Sequence, residues 1–250
     1  MSFWASIGGI LREADVVLLI CDARMPELSR NRELEEKISR YGRKMIIVYN
    51  KVDLVSNKDL NKLREENKEA FFVSGSKNQG IGKLRIYLNI LGKKYKGKRI
   101  KVGIVGYPNV GKSSIINCLA FRARTATSSV AGTTKGPQFV KIGSRIKIID
   151  SPGVIPPEDN ESKLALISAK NPEKLKNPEK VALEVISMLL RKDKKILENY
   201  YKIKISNLSL EEILWEIGKH KGMLKKKGIV DETKTAFAVI MDWQKGKVRI

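Results

Sequence analysis

Short apolar runs recur through the first part of the chain, each followed by a turn and then by a stretch with apolar positions at helical spacing. "DVVLLICD" (15–22) precedes such a stretch at 28–41, "KMIIVYN" (44–50) one at 58–69, "AFFVS" (70–74) one at 80–92, and "RIKVGIVG" (99–106) one at 112–121. Runs this apolar are strands buried on both faces, and their alternation with amphipathic helices predicts a mostly parallel sheet with helices on both sides. "RIKIID" (145–150) adds a further central strand. "PQFVKIG" (137–143) reads as its antiparallel neighbour, for six strands in all. Beyond residue 153 the pattern changes. "NPEKLKNPEK" (171–180) places Asn before Pro twice, the preferred cap and first-turn residues of helices. "LSLEEILWEIGKHKG" has helical period, with Ser209 as its cap. The expected organisation is an α/β domain over 1–170, with a linker at 92–101, and a small, mostly helical, basic domain over 171–250.

A chain of 250 residues with 42% hydrophobic content has enough apolar surface for one substantial core and a smaller second one. Its formal charge of +22 favours polyanions, either nucleic acid or an acidic membrane surface. No apolar run is long enough to span a bilayer, and the N-terminal residues lack the basic start and cleavage site of a secretory signal. A cytoplasmic protein is expected. Cys21 and Cys118 lie in apolar contexts without a CxxC partner and read as structural. His220 is the single histidine, which excludes a multi-histidine metal cage. The linker "GKKYKGKRIK" carries six basic residues and no acid.

Four short motifs sit at strand ends. "GYPNVGKS" (106–113) fits G-x-x-x-x-G-K-[ST] between a strand and a helix, the context that the phosphate-binding loop requires. Its backbone amides and the following helix N-terminus can surround phosphates, with Asn109, Val110, Gly111 and Ser114 lining the same loop. Lys112 can neutralise the β and γ oxygens, and Ser113 can hold Mg²⁺. "DSPG" (150–153) ends a strand and supplies Asp150 to the Mg²⁺ shell and the Gly153 amide to the γ-phosphate. "AGTTKG" between them offers Thr133 or Thr134 as a further Mg²⁺ ligand. "NKVD" (50–53) follows another strand. Asp53 can accept two hydrogen bonds from guanine N1 and N2, which adenine cannot offer, while Asn50 supports the loop and the Lys51 stem covers the ring. Ser74, Gly75 and Ser76, again after a strand, can present backbone amides to guanine O6. The set points to GTP and GDP as ligands with Mg²⁺, and to Lys112, a switch threonine and Gly153 as the catalytic elements.

The order of these motifs is unusual. The guanine-reading pair precedes the phosphate loop, whereas Ras-like GTPases have the reverse order. The chain therefore reads as a circularly permuted P-loop GTPase, with residues 92–101 joining the old termini and the segment after "DSPG" leading directly into the C-terminal domain. In this respect it resembles the YlqF/RbgA family of circularly permuted GTPases. "DARMPELSRN" (22–31) resembles that family's DAR-x-P-x-S-x-N stretch, "AGTTKG" its PGxTKG, "DSPGVIPP" its DTPG segment, and "DWQKGKVRI" its closing segment. Ala131 replaces a proline and Gly75 the usual alanine. The resemblance implies Thr134 as the switch ligand, Asn109 as a site for K⁺-assisted hydrolysis, and assembly of the large ribosomal subunit as the role. Partners are then ribosomal RNA and ribosomal proteins, with no membrane, and the free chain is expected to be a monomer. Val154 stands where Ras-like enzymes carry the glutamine that orients water, so slow intrinsic hydrolysis, stimulated by the particle, is expected. Lys219, Lys221, Lys225, Lys226 and Lys227 are the expected RNA contacts, and Trp215 and Trp243 the expected core anchors. A membrane-surface or transport GTPase, or a non-ribosomal RNA-binding GTPase module, are the alternatives. The residues of "DARMPELSRN" read as a helix cap and loop beside the sheet, with direct ligand contact as the alternative.

Overall fold

The computed structural model describes residues 3–95, 99–120, 138–151, 153, 155–156 and 159–250. The chain folds as two compact units, Met1–Pro157 and Glu158–Ile250.

The first unit is built on a six-stranded sheet in the order β3-β2-β1-β4-β6-β5. The strands are β1 (Val16–Asp22), β2 (Lys44–Asn50), β3 (Phe71–Phe72), β4 (Ile100–Val105), β5 (Gln138–Ile142) and β6 (Ile146–Asp150). All pairings are parallel except β5 with β6. Every residue of β1 is buried, as its unbroken apolar run requires of a central strand covered on both faces. The expected six strands are all present, and Gln138–Ile142 does form the antiparallel edge.

The helices follow the expected alternation with two differences. The stretch at 28–41 is divided into α2 (Pro26–Ser29) and α3 (Arg32–Arg40), because Asn31 adopts an extended conformation and its side chain accepts from the Leu34 N–H to start a new helix. The N-terminal residues form a helix that the pattern did not indicate, α1 (Phe3–Glu13), which buries Ile7, Ile10 and Leu11. It reaches the sheet at Gly103, where a β-carbon would lie 2.9 Å from Ile10 Cγ2. The further helices among the described residues of this unit are α4 (Asn57–Glu66), α5 (Ile81–Lys93) and α6 (Lys112–Ala120).

The second unit contains α7 (Glu161–Leu166), α8 (Pro178–Lys192), α9 (Lys194–Tyr201), α10 (Leu210–His220) and α11 (Glu232–Gln244). Val181, Val185, Leu189, Ile213, Ile217, Val239 and Trp243 are buried in its core. Ser209 makes the expected cap as a full capping box with Glu212. The unit begins before residue 171 because α7 belongs to it: the Trp243 indole N–H donates to Leu166 O at 2.8 Å and the Gln244 amide to Ala165 O at 3.0 Å. Trp215 is no core anchor. It is 42% exposed and its indole N–H donates to Glu232 Oε1. Among the described residues no helix is long and apolar enough to cross a membrane.

Candidate nucleotide site

The four strand-end motifs emerge at the carboxyl edge of the sheet, where open α/β sheets bind ligands. Asn50, the last residue of β2 and 3% exposed, joins three of the loops. Its Nδ2 donates to the carbonyl of Val110 in the phosphate loop at 2.7 Å, and its Oδ1 accepts from the Gly75 N–H at 2.9 Å. Gly111 lies so close that a β-carbon there would stand 2.1 Å from Asn50 Nδ2, and its φ of +96° lies in the region glycine tolerates. A single buried carboxamide thus sets the guanine-reading loops against the phosphate loop.

On the guanine side, Asp53 Oδ2 accepts from the Ser76 hydroxyl at 3.3 Å, whereas Asp53 Oδ1 is buried with no hydrogen-bond partner. An orphaned acceptor is costly, and guanine's N1 and N2 donors are the groups that would satisfy it. Ser74 Oγ lies 3.1 Å from Ser76 Oγ and accepts from the Lys77 N–H, but the Ser74 and Gly75 amides expected to face guanine O6 are already committed, to Gln79 O and Asn50 Oδ1, each at 2.9 Å, which leaves the Ser76 amide for that role. Gly75 is packed against α6, and a β-carbon there would meet Ser114 Cβ at 2.9 Å. This accounts for glycine where the resemblance leads one to expect alanine. The Cys118 thiol donates to Gly75 O at 3.1 Å, a positioning contact that its apolar sequence context concealed.

On the phosphate side, Lys112 is 7% exposed, and its ammonium donates to the carbonyls of Gly106 at 3.1 Å and Tyr107 at 2.7 Å. Burial lowers its pKa to about 8, with Asp150 pulling the other way. Asp150 is correspondingly raised by burial, with Lys112 opposing, and its Oδ1 is buried without a partner. A lysine short of negative charge beside a carboxylate with a spare acceptor suits a phosphate with its Mg²⁺. Ser113 and Ser114 stand exposed in the first turn of α6, and Asn109, with φ of 59°, is exposed in the loop before it. Gly153 closes on the same loop, where a β-carbon would lie 2.8 Å from Pro108 Cα. Thr133, Thr134, Ala131 and Val154 fall outside the described residues.

Two features depart from the expectations. Lys51, in the left-handed conformation with φ of 65°, anchors its ammonium on Asp22 Oδ2 at 2.8 Å, a partner that its motif did not indicate. Asp22 also accepts from the Arg24 guanidinium at 2.8 Å, with both side chains fully buried. Burial would raise the Asp22 carboxyl, but the charges of Arg24 and Lys51 outweigh it and hold the pKa at about 2. The DAR stretch is therefore a buried ionic brace on the guanine-reading loop, in addition to the helix cap and loop that its sequence indicated. The expected lysine cluster is also divided. Lys219 pairs with Glu216 and Lys221 with Asp242, each at 2.7 Å, while Lys226 and Lys227 lie in the turn before α11.

The comparisons with known proteins agree with this geometry. The RsgA GTPase family pattern matches residues 10–158, more than half of the chain, and the pattern described as 50S ribosome-binding GTPase matches residues 101–219. An uncharacterized GTP-binding protein of Methanocaldococcus jannaschii is 42% identical over 97% of this chain and 65% of its own length. Nucleolar GTP-binding protein 2 of Pneumocystis carinii is 32% identical over 98% of this chain and 52% of its own. The chain thus spans between about half and two thirds of these relatives. The crystal structure of GNP-bound YlqF from T. maritima shares the fold, with a TM-score of 0.63 at 22% identity over 98% of this chain and 94% of that one. By its family pattern, its sheet order and its rearranged motifs, the chain belongs to the RsgA GTPase family and carries the GTPase fold in circularly permuted order.

Proposed function

We propose that the chain binds and hydrolyses GTP as an assembly factor for the large ribosomal subunit, acting in the cytoplasm, bound to the particle with GTP and released after hydrolysis. The observation that carries the nucleotide part is the buried Asn50 carboxamide, which brings the guanine-reading and phosphate-binding loops into one site. Asp53 selects guanine through its orphaned Oδ1, helped by the Ser76 backbone amide. The α6 N-terminus and the amides of Asn109 to Ser114 receive the phosphates, and Lys112 exchanges two loop carbonyls for phosphate oxygens. When bound, Mg²⁺ neutralises charge developing on those oxygens. Ser113 and Asp150 would hold it, with Thr134 joining from the switch segment. The Gly153 amide, close to Pro108, reports the γ-phosphate to the segment that continues into the second unit.

The similarity to 50S ribosome-binding GTPases and the charge of +22 support the ribosomal partner, through phosphates of ribosomal RNA. The test is steady-state GTP hydrolysis with and without purified large subunits, in potassium and in sodium, with Lys112→Ala as control. Stimulation of about 10³-fold or more, absent in the control, is the expected result for a catalytic group supplied in trans. A rate unmoved by mature or immature subunits refutes the ribosomal part. Equal rates in the two salts remove Asn109 as a potassium site.

A further inference from the structure

One stretch of β2 lies open beyond the short edge strand β3, away from the nucleotide site. β2 pairs with β1 along its whole length, from Lys44 opposite Val16 to Asn50 opposite Asp22, but β3 covers only Val48 and Tyr49 on the other side. Backbone polar groups alternate between the two sides of a strand. The Asn50 carbonyl accepts from the Ala23 N–H on the β1 side, and the Tyr49 carbonyl accepts from the Val73 N–H on the β3 side, both at 2.8 Å. Counting back by twos from Tyr49 turns the Ile47 N–H and both backbone groups of Met45 outward, ahead of the point where β3 begins. Among the described residues no loop backbone group bonds to Met45.

A cavity of about 1110 Å³ runs along this edge, from Lys44 to Ile47 on one wall to the end of α4 and the exposed turn of α5 on the other. Its rim carries Lys44, Arg64, Lys68 and Lys83 against Glu66 and Glu69. The Lys44 ammonium sits 5.6 Å from the Tyr87 ring and the Arg64 guanidinium 5.7 Å from the Phe72 ring, so aromatic faces help place the rim charges. Unpaired N–H and C=O groups in a row are what an extended peptide complements and what a nucleic acid backbone does not. A lysine at such an edge also restrains two copies of this chain from pairing there, since like charges would meet.

We propose that the Lys44–Ile47 edge docks an extended acidic segment of a partner protein, which adds to the sheet as a further strand beside Met45 and Ile47. The surface is distinct from the nucleotide site. Its rim charges give the acidic preference, and the backbone groups of Met45 and Ile47 give the strand geometry. The probe is a capped peptide of about six residues alternating Glu and Val, the length of an ordinary strand, titrated into the ¹⁵N-labelled full chain. Expected are chemical-shift changes and slowed hydrogen exchange at the Met45 and Ile47 amides. N-methylation of one alternate set of peptide amides should abolish binding while methylation of the other set leaves it intact. Lys44→Glu with Lys68→Glu should weaken the peptide by about 10-fold, the equivalent of 1.4 kcal/mol, with GDP affinity unchanged. Equal binding by both methylated peptides, shifts that bypass Met45 and Ile47, or tighter occupancy of the same amides by oligouridylate would overturn the proposal.

Discussion

Replacing Asn50 with alanine removes a side chain that bonds both to the phosphate loop and to the guanine-backing loop. Two hydrogen bonds are lost, to Val110 O at 2.7 Å and from Gly75 N at 2.9 Å. Val110 is fully buried, so its carbonyl acquires no ready substitute, whereas Gly75 is half-buried and water can reach its amide. A buried group left unsatisfied costs about 1–3 kcal/mol, and a bond whose partner is rehydrated about 0.5–1.5. The sum is about 1.5–4.5 kcal/mol, divided between folding and nucleotide affinity. Urea denaturation followed by circular dichroism reads the first part and titration with a fluorescent GDP analogue the second. Asn50→Asp separates the two bonds. It keeps the acceptor for Gly75 but sets a carboxylate against the Val110 carbonyl, so it should weaken GDP binding at least as much as alanine. A combined loss below about 0.5 kcal/mol, the scale of ordinary surface substitutions, would refute the view that this carboxamide couples the loops.

Gly75→Ala should destabilise the chain by about 1–3 kcal/mol, as overpacking does, because its β-carbon meets Ser114 Cβ at 2.9 Å; Ser114→Gly should restore the denaturation midpoint. Lys112, with its pKa lowered to about 8 in the free protein, regains its full charge beside phosphate. A depressed lysine opposes folding below its folded pKa and ceases to do so as pH rises past 8, so unliganded stability should gain from this group between pH 8 and about 10.4. GDP affinity runs the other way: constant below pH 8 and falling above it, with proton uptake visible by calorimetry in two buffers. Affinity that is flat from pH 7 to 10 would refute the assignment. Asp22→Ala leaves the Arg24 guanidinium and the Lys51 ammonium without their shared carboxylate. A loss of about 3–5 kcal/mol is expected in thermal or chemical unfolding, and Asp22→Ala with Arg24→Met should recover part of it.

Most of the sheet was legible because its strands are buried on both faces and therefore written as unbroken apolar runs; β1 is the plainest instance. The motifs were legible because each combines fixed residue types with a strand end. α1 was not, since Gly8 and Gly9 interrupt a stretch whose apolar positions, Ile7, Ile10 and Leu11, do lie at helical spacing. The ionic brace of Asp22, Arg24 and Lys51 depends on a register, Asp22 opposite Asn50, that no local pattern specifies. The same reason hid the contact from Cys118 to Gly75, whose donor and acceptor belong to different elements of secondary structure. Lys221 read as a free cation beside its neighbours until α11 supplied Asp242 from far along the chain. Trp215 shares the apolar helical period of α10 but falls at its margin, where Glu232 takes the indole N–H.

The bond from Asn50 to Val110 also fixes a timetable. A chain is synthesised from its N-terminus, and domains tend to form as they emerge. The base-reading loops of this protein leave the ribosome first, with β1, β2 and β3 able to assemble before the phosphate loop exists. Nucleotide can stabilise nothing at that stage, because the carbonyl that Asn50 grips has not yet been made. In a GTPase of ordinary order the phosphate loop comes first and can meet its ligand early. Here the ligand arrives only as a late inspector of a half-built sheet. A nascent chain arrested before residue 110 should therefore gain no protease protection from GDP, and one arrested after residue 150 should.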